Sequence, residues 1–136
     1  MYKSILIPID IGNSDNATRV IETAAAQGGA DAEITLLNVV EEIPRWALVE
    51  LPKDTMEKSV NSSQDKLQAI SDSTEANTHA EIRVGHPYKT ILQVAEEKNA
   101  DLIVVASHQP GSQNFFLGST AAKVVRHAHC SVLVVR

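Results

Sequence analysis

The chain has 136 residues, with 12 Lys and Arg against 17 Asp and Glu, a formal net charge of -5, and apolar types make up 43% of it. That is one domain's length with enough apolar material for a single core, which excludes a disordered or fibrous chain. The negative balance, with no Lys/Arg cluster interleaved with aromatics, argues against a nucleic-acid partner. One cysteine, Cys130, excludes an internal disulfide, and the apolar run from Ile5 ends at Asp10, too short for a signal peptide or a membrane span. A cytoplasmic location and no membrane partner are expected.

In chain order, the first strand is read at 4–9, "SILIPI". Ala17, Val20, Ile21, Ala24 and Ala25 then repeat at helical spacing, with Ser14 or Asp15 as the cap and Gly28-Gly29 as the stop. A second strand is expected at 33–40, followed by a loop with Pro44, Trp46 and Pro52 and a longer helix whose stripe is Met56, Val60, Ser63, Leu67 and Ile70. The stretch 78–84, "THAEIRV", alternates polar and apolar and is the best edge-strand candidate. Pro87 opens a third helix with Tyr88, Ile91, Leu92 and Ala95 inward. A fourth strand at 102–106 precedes a helix carrying Ala121, Val124, Val125 and Ala128, and the last strand lies at 131–135. The runs "ILIPI", "LIVVA" and "VLVVR" lack alternation, so those three strands are expected to be central and covered on both faces. Alternation of strand and helix calls for an α/β fold with an open, mostly parallel sheet and right-handed crossovers.

In such a sheet the ligand crevice lies outside the carboxyl ends of the strands, which directs attention to 10–14, 39–44 and 106–119. The last of these, "SHQPGSQNFFLGS" from Ser107, leads into the fourth helix. A helix start leaves backbone N–H groups unpaired; Gly118 admits a ligand close to them, and Ser119 and Thr120 add hydroxyls suited to phosphate oxygens. The plainer reading is that Gly118 permits a turn and Ser119 caps a helix. Asp10, at the exit of the first strand, suits ribose hydroxyls or a local N–H cap. Pro8 lacks a ladder donor and shapes that strand's end. Val39 offers backbone and apolar surface beside a base, or simple packing. His108 sits in the candidate ligand loop, within reach of a phosphate. Neither GxxxxGK[ST], GxGxxG nor GxSxG occurs, so no catalytic residue is assigned. His127, His129 and Cys130 crowd between a helix end and a strand and do not form a natural zinc set, so no metal site is expected.

The segments "ILIPID" at 5–10, "LLNVVEE" at 36–42, "DLIVVASH" at 101–108 and "LGSTAAKVVRHAHCSVLVVR" at 117–136 resemble the universal stress protein family across nearly the whole chain, and its small single-domain F-type bacterial members in particular. The resemblance implies one nucleotide-binding domain over 1–136, a five-stranded sheet of order 3-2-1-4-5 with helices on both faces, and a homodimer. Nucleotide-binding members of that family carry Gly-x2-Gly, nine residues, then Gly-[Ser/Thr]. Here Ala106 and Gln109 stand at the first two glycines, and eight residues separate Gln109 from Gly118, with Gly111 a local substitute for the missing flexibility. Gly118-Ser119, Asp10 and Val39 match the family's phosphate, ribose and adenine contacts. The resemblance implies a regulatory stress-response protein that binds ATP or another adenine nucleotide, with or without Mg2+, acts on itself as a homodimer or on an unidentified regulatory protein, and is not a rapid enzyme. The alternatives are an interaction protein that has lost nucleotide binding and a slow ATPase or phosphotransferase.

Overall fold

The computed structural model describes residues 1–107 and 117–136. Its elements are β1 (Tyr2–Pro8), a 3-10 turn (Ile11–Asn13), α1 (Ala17–Gln27), β2 (Gly28–Val40), α2 (Arg45–Leu48), α3 (Thr55–Ser73), β3 (Thr78–Val84), α4 (Pro87–Glu97), β4 (Leu102–Ala106), α5 (Ser119–His127) and β5 (Ser131–Val135). The five strands form one sheet in the order β3-β2-β1-β4-β5, and every pairing in it is parallel. The fold is therefore the expected α/β sheet with helices on both faces.

Period-two alternation along β1 divides the core. Ile5, Ile7 and Ile9 point to a cluster closed by Val20, Ile21 and Ala24 of α1 and Leu67 of α3. Leu6 points the other way, with Leu37, Ile103 and Val105, against Ile91 and Val94 of α4 and Val124 of α5. Ile5, Leu6 and Ile7 are all almost fully buried, and each buried aliphatic side chain of this size contributes about 1.5–3 kcal/mol. That is why β1 carries no polar residue between Ser4 and Asp10.

Several expectations are corrected by this packing. β5 is an edge strand, although its apolar run suggested a central one. Leu133 and Val135 pack on one core cluster while Val132 and Val134 pack on the other, so the run reports helices on both faces and not neighbours on both sides. The N-cap of α1 is Asn16, with the Ala17 N–H donating to the Ser14 carbonyl. Gly28-Gly29 is not a left-handed stop: Gly28 is extended (φ -91, ψ 158) and already belongs to β2. The β1–β2 register jumps from Tyr2–Gly28 to Ser4–Glu33. Within that bulge a Cβ on Gly28 would lie 2.8 Å from Ala32 Cβ, so close approach explains the glycine. On α4 the buried stripe is Thr90, Ile91, Val94 and Ala95, with Tyr88 and Leu92 only half-buried. On α5, Val125 is 44% exposed, while Ala121 and Val124 are buried. Among the described residues no helix is long and apolar enough to cross a membrane.

Asp101 ties β4 to β1 at the end of the sheet where the strands begin. Its carboxylate accepts from Lys3 N at 2.9 Å and Ser4 N at 2.9 Å, and its own N–H donates to the Ser4 carbonyl at 2.9 Å. Burial works to raise the Asp101 pKa, but the Lys3 and Ser4 amides together prevail and hold the carboxyl below the ordinary carboxylate value. A depressed folded-state pKa stabilises the fold above the unfolded-state value and loses that contribution as pH falls through the folded one. Asp101→Ala is expected to cost about 1–2 kcal/mol at neutral pH. In urea titrations its deficit relative to the wild type should shrink below the ordinary carboxylate pKa of 3.8; a deficit independent of pH would show that the charge is not what holds the two strands.

Candidate functional site

Pro8 determines where the sheet opens. In a parallel ladder successive backbone N–H groups point to opposite neighbours, and the Ile9 N–H donates to the Leu37 carbonyl of β2 at 2.7 Å. Pro8, one residue earlier, therefore turns its donor-less nitrogen toward β4. The β1–β4 ladder comprises only Ile5–Leu102 and Leu6–Ile103. Beyond it β1 continues against β2 to the Pro8–Leu37 pair, while β4 continues against β5 to Ala106–Val135. The two central strands separate at the point where the winding reverses, and a cleft of about 320 Å³ occupies the gap.

Each wall of the cleft is held locally. Asp10 accepts from the Gly12 N–H at 3.1 Å through Oδ1, so the carboxylate caps the turn that leads the chain away from β1. Asn38 Nδ2 donates to the Ile9 carbonyl at 2.8 Å, pinning the β1 exit to β2. The Ser107 N–H donates to the Val135 carbonyl at 2.9 Å, holding the end of β4 against β5. Gly118 is the N-cap of α5, with φ -57 and ψ 155 and no side chain capping the first turn. Its carbonyl accepts from Ala122 N at 2.9 Å, and a Cβ placed on it would meet nothing within 4 Å among the described residues. Asn16 and Ala17, Pro87, and Gly118 to Ala121 all line the cleft, so the N-termini of α1, α4 and α5 converge there. Their dipoles present partial positive charge to the space between them.

Of the residues singled out in the sequence, Pro8, Asp10, Val39, Ala106, Gly118, Ser119 and Thr120 line this one cleft. His108, Gln109 and Gly111 lie outside the described residues. Glu41 and Ser107, inside the strand-exit segments 39–44 and 106–119, share the lining, whereas sequence reading missed Asn38 and the first turns of α1 and α4. The rule that every parallel strand's exit faces the start of its following helix would have pointed to the helix starts; Asn38 needed the register. Lys123 stands one turn beyond Ser119, but its ammonium lies 5.0 Å from the centre of the Tyr88 ring and is outside the lining. At the opposite end of the sheet, burial and then the charge of Asp101 push the Cys130 thiol up, away from the thiolate that redox or metal chemistry requires. Among the described residues no group of three His, Cys, Asp or Glu is placed to hold a metal ion.

A doubly wound parallel sheet with a cleft at its switch point places the chain in the open-sheet α/β class. The universal stress protein family model matches residues 1–136, and the chain belongs to that family. It is 31% identical over 144 residues to universal stress protein G of Salmonella typhimurium, with both chains covered completely. That relative and three more that match over their full length are G-type, which overturns the F-type expectation. Among solved structures, the hypothetical protein MJ0577 superposes with a TM-score of 0.82 at 28% identity over 99% of this chain and 96% of its own. A universal stress protein in complex with cAMP superposes with a TM-score of 0.63 at 20% identity, covering 99% and 97%.

The Asn38 amide is a side-chain clamp between the exits of β1 and β2. Asn38→Leu removes the donor to the Ile9 carbonyl and is expected to cost about 1 kcal/mol in chemical unfolding. A variant as stable as the wild type would show that the backbone bond from Ile9 to Leu37 suffices.

Proposed function

We propose that this chain is a regulatory protein that binds an adenine nucleotide in the cleft between β1 and β4, with the phosphate at the start of α5. The single observation that carries the reading is convergence: Asp10, Val39 and Gly118-Ser119-Thr120, drawn from three separate strand exits, line one cleft. The order of the groups suits a nucleotide. Val39 offers half-buried apolar surface for a base, Asp10 offers a carboxylate for ribose hydroxyls, and the first turn of α5 offers N–H groups and hydroxyls for phosphate oxygens. Membership in a family whose fold has been solved with cAMP in one protein and dAMP in another supports adenine as the base. Those two proteins are distant, so they support the ligand class and leave the residue roles to this chain's own geometry.

Binding without rapid turnover is the reading we adopt. Asp10 Oδ1 is engaged by the Gly12 amide and the Lys123 ammonium is drawn to Tyr88, so neither is poised to activate a water or to follow charge moving to a leaving group. Mg2+, when present, would neutralise phosphate charge near Asp10. We place the protein in the cytoplasm, acting through a homodimer or through a regulatory partner.

Calorimetry with AMP, cAMP and ATP, the last with and without Mg2+, is expected to show one site per chain. Gly118→Val should abolish that binding while changing stability by less than about 1 kcal/mol, because the glycine's φ and ψ suit any residue, a Cβ meets no described atom within 4 Å, and Gly118 lines the cleft. Unchanged affinity in a folded Gly118→Val protein would remove the start of α5 from the site. The homodimer reading rests on β5, an edge strand of four half-buried aliphatics that bonds β4 on one side. Sedimentation at high micromolar concentration should return twice the chain mass; a monomer there would overturn it.

A further inference from the structure

The cleft has an unusual charge inventory for a phosphate site. Its lining side chains among the described residues include two carboxylates, Asp10 and Glu41, and no Lys or Arg. No Lys or Arg occurs in 4–18 or in 34–44, the segments that contain the exits of β1 and β2, whereas Asp10, Asp15, Glu41 and Glu42 do. Lys89, two residues beyond Pro87, is not part of the lining, and Lys123 is held at 5.0 Å over the Tyr88 ring. Among the described lining residues, attraction for an anion therefore comes from backbone amides and hydroxyls at the helix starts, a fixed and modest supply of partial charge. Against it stand two full negative charges and a molecule of net charge -5. This supply matches one phosphate. Each additional phosphate in the chain brings about one further negative charge and meets repulsion with no cation among the described lining residues to offset it.

We propose that the cleft selects its ligand by charge, taking a singly phosphorylated adenine nucleotide, open or cyclic, in preference to ATP. This rests on the adenine-nucleotide reading above and adds the phosphate count to it. Asp10 and Glu41 carry the negative charge of the described lining. Their field disfavours a polyphosphate chain that has no metal ion, and magnesium relieves it by neutralising the chain.

Calorimetry at low ionic strength with AMP, cAMP, ADP and ATP tests this on the wild-type protein and on Glu41→Gln. In EDTA, AMP and cAMP are expected to bind at least about tenfold more tightly than ATP, with ADP between. The gap should narrow with Mg2+ and with added salt, as screening requires. Glu41→Gln should strengthen ATP binding about threefold to tenfold in EDTA and change AMP binding less. If ATP in EDTA binds as tightly as AMP, or if Glu41→Gln moves both ligands equally, charge selection is overturned while the nucleotide site stands. If none of the four ligands binds the wild type, the nucleotide reading itself falls, and the charge inference with it.

Discussion

The structure turns on the separation of β1 from β4 beyond Leu6. At Ile5 and Leu6 β1 is paired on both sides; beyond them the strand remains bound to β2 alone, and Pro8 presents no donor to the β4 side. A backbone N–H at that position would invite one more ladder bond and draw the strands together. Without one, the strand ends spread, and the starts of the three helices that follow β1, β3 and β4 look into the opening. The cleft is thus a consequence of ladder chemistry at one residue, set in a sheet whose core on either face is otherwise continuous.

What the cleft offers follows from how parallel sheets are wound. Right-handed crossovers place every strand's carboxyl end beside the amino end of the next helix, so partial positive charge collects there without any basic side chain. The same geometry explains the local hydrogen bonds. Asp10 turns its carboxylate back onto the Gly12 amide, and Asn38 reaches across to Ile9, because both exits must leave the sheet sharply to clear the opening. The acidic side chains are then left as the only full charges among the described lining residues, and they limit which anions the helix starts can retain.

Much of the fold was legible from residue patterns. The bounds of β3, β4 and β5 agree with their apolar or alternating runs, since short strands bounded by polar turns carry their period on the surface of the sequence. The position of β5 was not legible from its run, because two-sided helix cover and two-sided strand pairing produce the same apolar stretch. Gly28-Gly29 resembled a helix stop, since glycine serves a left-handed cap and a crowded bulge equally well; the close Ala32 contact decides between them. On the site, the strand-exit rule was enough to bring Asp10, Val39 and Gly118 to notice. Asn38 escaped because it is a single polar residue inside an apolar run, and its purpose appears only once register places its side-chain amide opposite the Ile9 carbonyl. His108, Gln109 and Gly111 lie outside the described residues.

The central claim is that three distant strand exits form one ligand surface. The most direct measurement is an amide chemical-shift map of the isotope-labelled protein titrated with AMP. The account predicts that Gly12, Asn38, Val39 and the Ser119 and Thr120 amides move together along one saturation curve, while Cys130 and Ser131 at the far end of the sheet stay in place. Shifts clustered at Cys130 and Ser131, or confined to one of the three exits, would contradict it.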